Sequence, residues 1–184
     1  DNNVVNKTKR VFLLGPAHKT PVDGAALSHS QEFETPLGNL KIDRKIINQL
    51  AEKEHFTFYT QEAEEMEHSL EMHLPYIRHV FKDKDITLVP IVVGSNSLDK
   101  SKAIAKELVE YFKDEENFFV ISTDFCHWGV KFGYTPYDEE ELKEQGIEST
   151  SINDYIEMLD KQGIKYVENQ SGKEFKEYLS KTKN

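Results

Sequence analysis

Residues 118–129 have the sequence Phe-Phe-Val-Ile-Ser-Thr-Asp-Phe-Cys-His-Trp-Gly. The apolar first part predicts a buried strand, and a carboxylate, a thiol, an imidazole and an indole follow it directly. A second apolar run, at 10–14, leads through a Gly-Pro-Ala turn to another histidine. Ligands of open α/β sheets bind outside the carboxyl ends of the strands. We therefore expect His18 and His127 to line one shared pocket.

Strand and helix patterns alternate along the chain. The predicted strands are at 10–14, 56–59, 86–93 and 118–122, and the predicted helices at about 43–53, 69–82, 97–112, 150–162 and 173–180. Alternation of this kind indicates βαβ units. The expected fold class is therefore α/β, with a mostly parallel or mixed sheet flanked by helices on both faces.

Prolines and glycines refine this prediction at a few positions. Pro90 suggests an edge strand or a bulge, because proline donates no ladder hydrogen bond. Pro75 either begins the main part of its helix or kinks it. Gly163 fits the position just after a helix C-terminus. The Gly/Pro/Ser/His-rich stretch at 15–38 is too irregular for one element.

Length, charge and cysteine content limit the function classes. A chain of 184 residues fits a single domain over 1–184. Its net charge of −10 without a Lys/Arg stripe argues against nucleic acid. No apolar run approaches the roughly 20 residues of a membrane helix, and the lone Cys126 suits a reducing compartment. We expect a cytoplasmic protein, with the nucleus as an alternative. The acidic runs at 62–65 and 138–141 are typical of solvated surface.

The segment at 67–75 contains two histidines, His68 and His73, among glutamates. If it is helical, His68 and Glu71 lie three residues apart on one face. Such a pair could bind a metal or orient a partner. The equally simple alternative is helix capping and surface polarity. The histidines are five residues apart, so this is not a His-Glu-x-x-His zinc motif.

The cluster after the strand at 118–122 offers the clearest chemistry. Asp124 could fix a histidine tautomer or accept a proton, and His127 is suited to acid–base catalysis near neutral pH. Trp128 would supply an apolar wall. Cys126 could be a ligand or nucleophile, but it is equally plausible as a small core residue. A lone loop histidine such as His18 is more often structural.

Three long segments resemble signature segments of the Memo family, the mediators of ErbB2-driven cell motility. They are Leu14-Gly15-Pro16-Ala17-His18, Glu67-His68-Ser69-Leu70-Glu71-Met72-His73-Leu74-Pro75-Tyr76 and Ser122-Thr123-Asp124-Phe125-Cys126-His127-Trp128-Gly129. The family is similar in fold to class III extradiol dioxygenases, which implies a metal-type pocket at strand ends. The resemblance covers nearly the whole chain and corresponds to the central part of the family, with the terminal segments absent.

The resemblance implies site residues position by position. His18 matches a metal-ligating histidine, and His127, with Asp124 beside it, matches an acid–base histidine; His68, Glu71 and Trp128 are expected near the pocket. The histidine and cysteine that would complete the ligand set lie in family segments without a counterpart here. Iron or copper is therefore expected in a full-length protein, with none tightly bound to this chain.

Two functions follow from the resemblance. The first is a signalling and cell-motility scaffold whose pocket binds a phosphotyrosine peptide or a small aromatic ligand. The second is an iron- or copper-dependent oxidoreductase of the extradiol dioxygenase-like class. Neither nucleic acid nor a membrane is expected as a partner.

Overall fold

The computed structural model of the chain describes residues 2–148 and 151–182. The chain divides into two compact units between Thr123 and Asp124, and each unit is described by itself. Whether they form the single domain expected from the sequence stays a prediction. No helix among the described residues is both long enough and apolar enough to cross a bilayer.

The first unit alternates strands and helices. Its strands are β1 (Arg10–Pro16), β2 (Ala25–Leu27), β3 (Glu32–Phe33), β4 (Leu40–Ile42), β5 (Phe56–Phe58), β6 (Thr87–Val93) and β7 (Asn117–Ile121). Its helices are α1 (Asn2–Lys7), α2 (Arg44–Ala51), α3 (Gln61–Met66), α4 (Leu74–Val80) and α5 (Leu98–Lys113), with a 3₁₀ turn at Glu71–His73.

The strands form one mixed sheet around β1 and β6. The main order is β3-β4-β6-β1-β7, and β6 also pairs with β2, which in turn pairs with β5. β1 is parallel to both β6 and β7, and β4 is parallel to β6. The β2–β6 and β3–β4 pairs are antiparallel. The predicted α/β fold with a mixed sheet is therefore confirmed.

Side-chain alternation along β1 separates two apolar layers. Val11 and Leu13 face a cluster that contains α4 residues such as Leu74, whereas Phe12 faces a cluster built with α2 and α5. All three β1 side chains are fully buried. Helices thus cover both faces of the sheet, as the near-continuous apolar run of β1 requires.

Pro90 was expected at an edge or bulge, and this expectation is wrong, because β6 lies inside the sheet. β6 pairs on one side with β1 along its whole length. On the other side β4 pairs at Thr87 and Leu88, and β2 pairs from Ile91 onward. Pro90 lies at the gap between these two partners, where a residue without an N–H is tolerated.

The predicted helices of this unit differ in accuracy. Asp43 caps α2 by accepting from the amide of Ile46, and Ser97 caps α5 by accepting from the amide of Lys100. The helix expected at 69–82 begins later, as the 3₁₀ turn followed by α4, with Pro75 in its first turn. Helices α1 and α3 were not predicted, and the acidic run at 62–65 lies in α3.

The prediction that the 118–122 strand is buried is wrong for β7. Phe118 is 39% exposed and Ile121 is 61% exposed. Among the described strands β7 pairs with β1 alone, so it has a neighbour on one side only. A wholly apolar run therefore forms a strand whose side chains are only partly covered.

The second unit is helical. It contains a 3₁₀ turn at Val130–Phe132 and the helices α6 (Glu139–Glu144), α7 (Ile152–Glu168) and α8 (Gly172–Thr182). Leu142, Tyr155, Met158 and Leu159 form its buried core. The helix predicted at 150–162 corresponds to α7, and its predicted first residue, 150, lies outside the described residues.

Gly163 was expected just after a helix end, and this is wrong, because α7 continues to Glu168. A Cβ at Gly163 would lie 3.3 Å from the Tyr178 ring of α8 and 3.5 Å from the Phe125 ring. The glycine therefore permits close packing inside the helix rather than ending it.

Candidate functional site: a histidine and carboxylate cluster at the end of β1

His18 lies in the loop that leaves the carboxyl end of β1. The β1 strand ends at Pro16, and the amide of Ala17 still donates to the carbonyl of Val93, 2.9 Å away, at the end of β6. The next residue is His18, whose side chain is 29% exposed. The central strands thus place this imidazole at the edge of the sheet where α/β proteins bind ligands.

Glu67 lies after α3 and binds this loop. Its Oε2 accepts hydrogen bonds from the amides of His18 at 2.6 Å and Lys19 at 3.3 Å. Its Oε1 lies 3.0 Å from Nδ1 of His18 and 3.0 Å from each of the amides of His68 and Ser69. The Glu67 side chain is 2% exposed. One buried carboxylate therefore joins two loops.

These hydrogen bonds determine the charge of Glu67. Burial alone would raise the pKa of its carboxyl group, but the bonds from the His18 and Ser69 amides and from the His18 ring outweigh burial and lower the pKa to about 2. Glu67 is thus ionised throughout the neutral range. It is a fixed negative charge beside the imidazole.

His68 adds a second imidazole to the cluster. Its ring stacks on that of His18, with centroids 4.5 Å apart and an interplanar angle of 27°. Its Nδ1 lies 3.8 Å from Oε1 of Glu67, and its side chain is 49% exposed. One potential ligand atom from each of His18, Glu67 and His68 lies within 4.8 Å of the others. Imidazole nitrogen and carboxylate oxygen suit first-row transition metals.

The sequence argument for His68 and Glu71 assumed a helix, and this assumption is wrong. Residues 67–70 are not helical, because Glu67 binds the amides of His68 and Ser69 and the 3₁₀ turn begins only at Glu71. His68 consequently contacts His18, whereas Glu71 lines a neighbouring cavity.

That cavity has a volume of about 390 Å³ and lies within the first unit. Its apolar part consists of Phe33, Leu70, Leu74 and Val92. Its acidic part consists of Glu32, Glu34, Glu64, Glu65, Glu67 and Glu71. Within the part of the chain that the structure describes, no lysine or arginine lines it. Glu67 connects this cavity to the histidine cluster, since it lines the cavity and binds His18.

In the second unit, Asp124 and His127 lie next to each other. Oδ2 of Asp124 is 3.5 Å from Nε2 of His127, and both side chains are about half exposed. Nδ1 of His127 is 2.9 Å from the carbonyl oxygen of Phe125, an acceptor only, so Nδ1 carries a proton. The pair can therefore hold or pass a proton at Nε2. That it shares a pocket with His18 stays a prediction.

The other two side chains of this cluster have local partners. The indole N–H of Trp128 donates to the carbonyl of Pro136 at 2.7 Å, which fixes the ring within its own unit. Burial, followed by the charge of Asp160, raises the pKa of the Cys126 thiol. Cys126 also packs against the core of the second unit. Of the two alternatives for this residue, the surroundings favour a core thiol over a reactive thiolate.

Sequence reasoning did not assign a role to Glu67. The residue is one of 33 acidic residues, and most of its neighbours in the chain are exposed. Its only local signal was its place directly before a histidine in the 67–76 segment. The five hydrogen bonds that single it out come from the β1 loop and from the turn that follows it.

Taken together, these features define an α/β protein with a histidine–carboxylate site at the carboxyl end of a central strand. The family model described as "Memo-like protein" matches residues 2–184. The chain belongs to the Memo family.

Curated relatives agree with this assignment. The protein called memo-1 homolog of Caenorhabditis elegans is 39% identical over 98% of this chain and 50% of its own length. MEMO1 of Xenopus laevis is 40% identical, and MEMO1 of Homo sapiens 39% identical, each over 96% of this chain and 58% of the relative. The chain thus spans between half and three-fifths of the length of these relatives.

Proposed function

We propose that this chain carries the metal-binding part of a Memo-family redox protein, an iron- or copper-dependent oxidoreductase of the extradiol dioxygenase-like class. The observation that supports this most is the convergence of His18, His68 and ionised Glu67 at the end of β1. The family resemblance implied only His18 as a metal ligand of this chain. The structure adds a second imidazole and a buried carboxylate beside it, and this convergence supports a metal site.

The residues fit such an ion. Two imidazoles in contact offer the nitrogen donors that iron and copper accept, and the negative charge of Glu67 beside them favours a cation. When bound, the metal would supply one-electron chemistry and reaction with dioxygen. In the first unit, His18 and His68 would bind the ion. In the second unit, His127, with Asp124 beside it, would hold or transfer a proton at Nε2.

The acidic cavity favours a neutral or cationic occupant. Its six glutamates, with no lysine or arginine beside them among the described lining residues, would repel a phosphate dianion, which needs such donors. An aromatic ring with neutral hydroxyl groups, in contrast, could contact the apolar wall and donate hydrogen bonds to the carboxylates. The phosphotyrosine-binding scaffold role in signalling and cell motility stays a prediction, and this cavity does not favour it.

The test is metal binding by the purified chain. Metal-free protein is titrated with Cu(II), and separately with Fe(II) under anaerobic conditions, and bound metal is counted by mass spectrometry after gel filtration. The sequence led us to expect no tightly bound metal, but because His68 lies beside His18 we now expect about one ion per chain, lost in His18→Ala. The matched control is His79→Ala, which removes an exposed histidine of α4 and should bind like wild type.

Two outcomes would overturn the proposal. Equal metal content in His18→Ala and wild type would show that the metal binds elsewhere. Binding of a phosphotyrosine peptide to the metal-free chain, with no binding of the unphosphorylated peptide and no metal uptake, would instead support the scaffold function.

A further inference from the structure

We propose that Glu67 is a positioning residue for His18 rather than a metal ligand, and that it selects Nε2 as the ligand atom of His18. This inference rests on the proposed function, because it concerns how the cluster binds a metal. His18, Glu67 and His68, whose potential ligand atoms converge, would then have different roles.

The Glu67 carboxylate can accept only a limited number of hydrogen bonds. Two carboxylate oxygens offer about four lone-pair sites. Glu67 accepts from four backbone amides, those of His18, Lys19, His68 and Ser69. Nδ1 of His18 is the fifth partner. The lone pairs of Glu67 are therefore already committed to the protein.

Binding of a metal by Glu67 would disrupt these hydrogen bonds. Coordination would withdraw at least one oxygen lone pair from these donors. A buried amide N–H that loses its acceptor is left desolvated without a partner, which is unfavourable. The Glu67 side chain is 2% exposed, so water cannot easily replace the lost partner. The carboxylate is better suited to holding the loop than to holding an ion.

The contact with Glu67 also fixes the tautomer of His18. Four backbone N–H groups already donate to the two oxygens of Glu67, so the carboxylate acts as an acceptor, and its 3.0 Å contact with Nδ1 of His18 requires a proton on Nδ1. In the neutral ring the lone pair then lies on Nε2. The backbone amide of His18 binds the same carboxylate at 2.6 Å, which fixes the residue at two points. Metal-binding histidines commonly donate their second ring nitrogen to a carboxylate in this way.

His68 lacks this constraint. Its Nδ1 is 3.8 Å from Glu67 Oε1, beyond hydrogen-bond distance, and its side chain is 49% exposed. Only its backbone amide binds the carboxylate. The structure thus pairs one imidazole whose tautomer is fixed with a second whose orientation a ligand could still change.

The test combines nuclear magnetic resonance with metal titration. In ¹⁵N-labelled, metal-free wild type at about pH 8.5, long-range ¹H–¹⁵N spectra should show His18 protonated on Nδ1. In Glu67→Gln, whose amide group can offer a donor, we expect a mixture of tautomers or protonation on Nε2. Affinity for Cu(II) should fall about 10- to 100-fold, the usual cost of losing such a partner. Glu62→Gln changes an exposed carboxylate of α3 and should leave both readouts unchanged.

The results separate the inference from the proposed function. An Nε2-protonated His18 in wild type would overturn the inference, and this measurement needs no variant to fold. A Glu67→Gln chain that is folded and binds Cu(II) as tightly as wild type would also overturn it. So would loss of the Nδ1 proton of His18 when diamagnetic Zn(II) binds, since the ion would then occupy the space between Nδ1, Glu67 and His68. Unchanged affinity in His18→Ala would overturn the proposed function and the role of Nε2 as a ligand atom, while an Nδ1 proton observed on His18 would still show that Glu67 fixes the tautomer.

Discussion

Nε of Arg10, at the start of β1, donates a hydrogen bond to Oδ2 of Asp43, 2.7 Å away. Asp43 is also the N-cap of α2, through its bond from the Ile46 amide, and it accepts from the hydroxyl of Thr87 in β6. Burial would raise the pKa of Asp43, but the bonds from Arg10 and Ile46 outweigh it and lower the pKa. One carboxylate therefore joins a helix start to two central strands.

We predict that Asp43→Ala destabilises the chain by about 2–3 kcal/mol. About 1 kcal/mol is the usual cost of a lost N-cap, and the remainder comes from leaving the partly buried Arg10 without its carboxylate. Urea unfolding followed by circular dichroism measures the change. Ser97→Ala is the matched control, because it removes only the N-cap of α5 and should cost about 1 kcal/mol. Equal losses in the two variants would show that the Arg10 contact contributes nothing.

Glu67 should make the chain sensitive to acid. Its pKa is about 2 in the folded protein against an ordinary value of 4.5, so folding favours the ionised form. This difference corresponds to about 3 kcal/mol. The contribution is complete above about pH 5 and is lost as the pH falls from there towards 2.

The measurement is the free energy of unfolding of wild type and Glu67→Gln at several pH values. We expect the gap between them to be largest at pH 6 and to shrink progressively at pH 4 and pH 3. Glu71→Gln, at an exposed position, should follow the wild-type curve. A gap that stays constant down to pH 3 would contradict the low pKa of Glu67.

The sequence predicted elements best where local signals and packing agree. The strand expected at 10–14 and the helices expected from about 43 and 97 follow from local features, and the structure contains all three elements, with Asp43 and Ser97 as the N-caps of the two helices. Pro90 and Gly163 were misplaced because their environments depend on other segments. For Pro90 the cause is the change of partner from β4 to β2, and for Gly163 it is the approach of the Tyr178 ring.

In the candidate site, too, the features that depend on distant segments could not be predicted. His18 follows a strong strand signal, so its place at a strand end was predictable. The contact of His18 with Glu67 joins residues 49 positions apart, and no periodicity indicates such a pair. The stacking of His68 on His18 was also out of reach, because it depends on a turn that the sequence suggested was helical.

Gly94 should not tolerate a side chain. A Cβ at this position would lie 1.8 Å from the backbone carbonyl oxygen of Val22, and backbone cannot move aside as a flexible side chain can. We predict that Gly94→Ala costs about 3 kcal/mol or more. Gly133→Ala is the control, since it has open space but a left-handed φ of +65°, and it should cost only about 1–2 kcal/mol. Thermal unfolding distinguishes the two, and equal losses would rule out the close approach to Val22.

The exposure of the β7 side chains can be tested by comparing a residue of β7 with a residue of the neighbouring strand β1. Leu13 is fully buried, whereas Ile121 is 61% exposed although it also lies in an apolar strand. We predict that Leu13→Ala costs about 2–5 kcal/mol, since it leaves a cavity in the core, and that Ile121→Ala costs less than about 1 kcal/mol. Urea unfolding of both variants at one pH measures the difference. If Ile121→Ala were as costly as Leu13→Ala, the side chain would be covered in solution, and the burial predicted from the sequence at 118–122 would be correct after all.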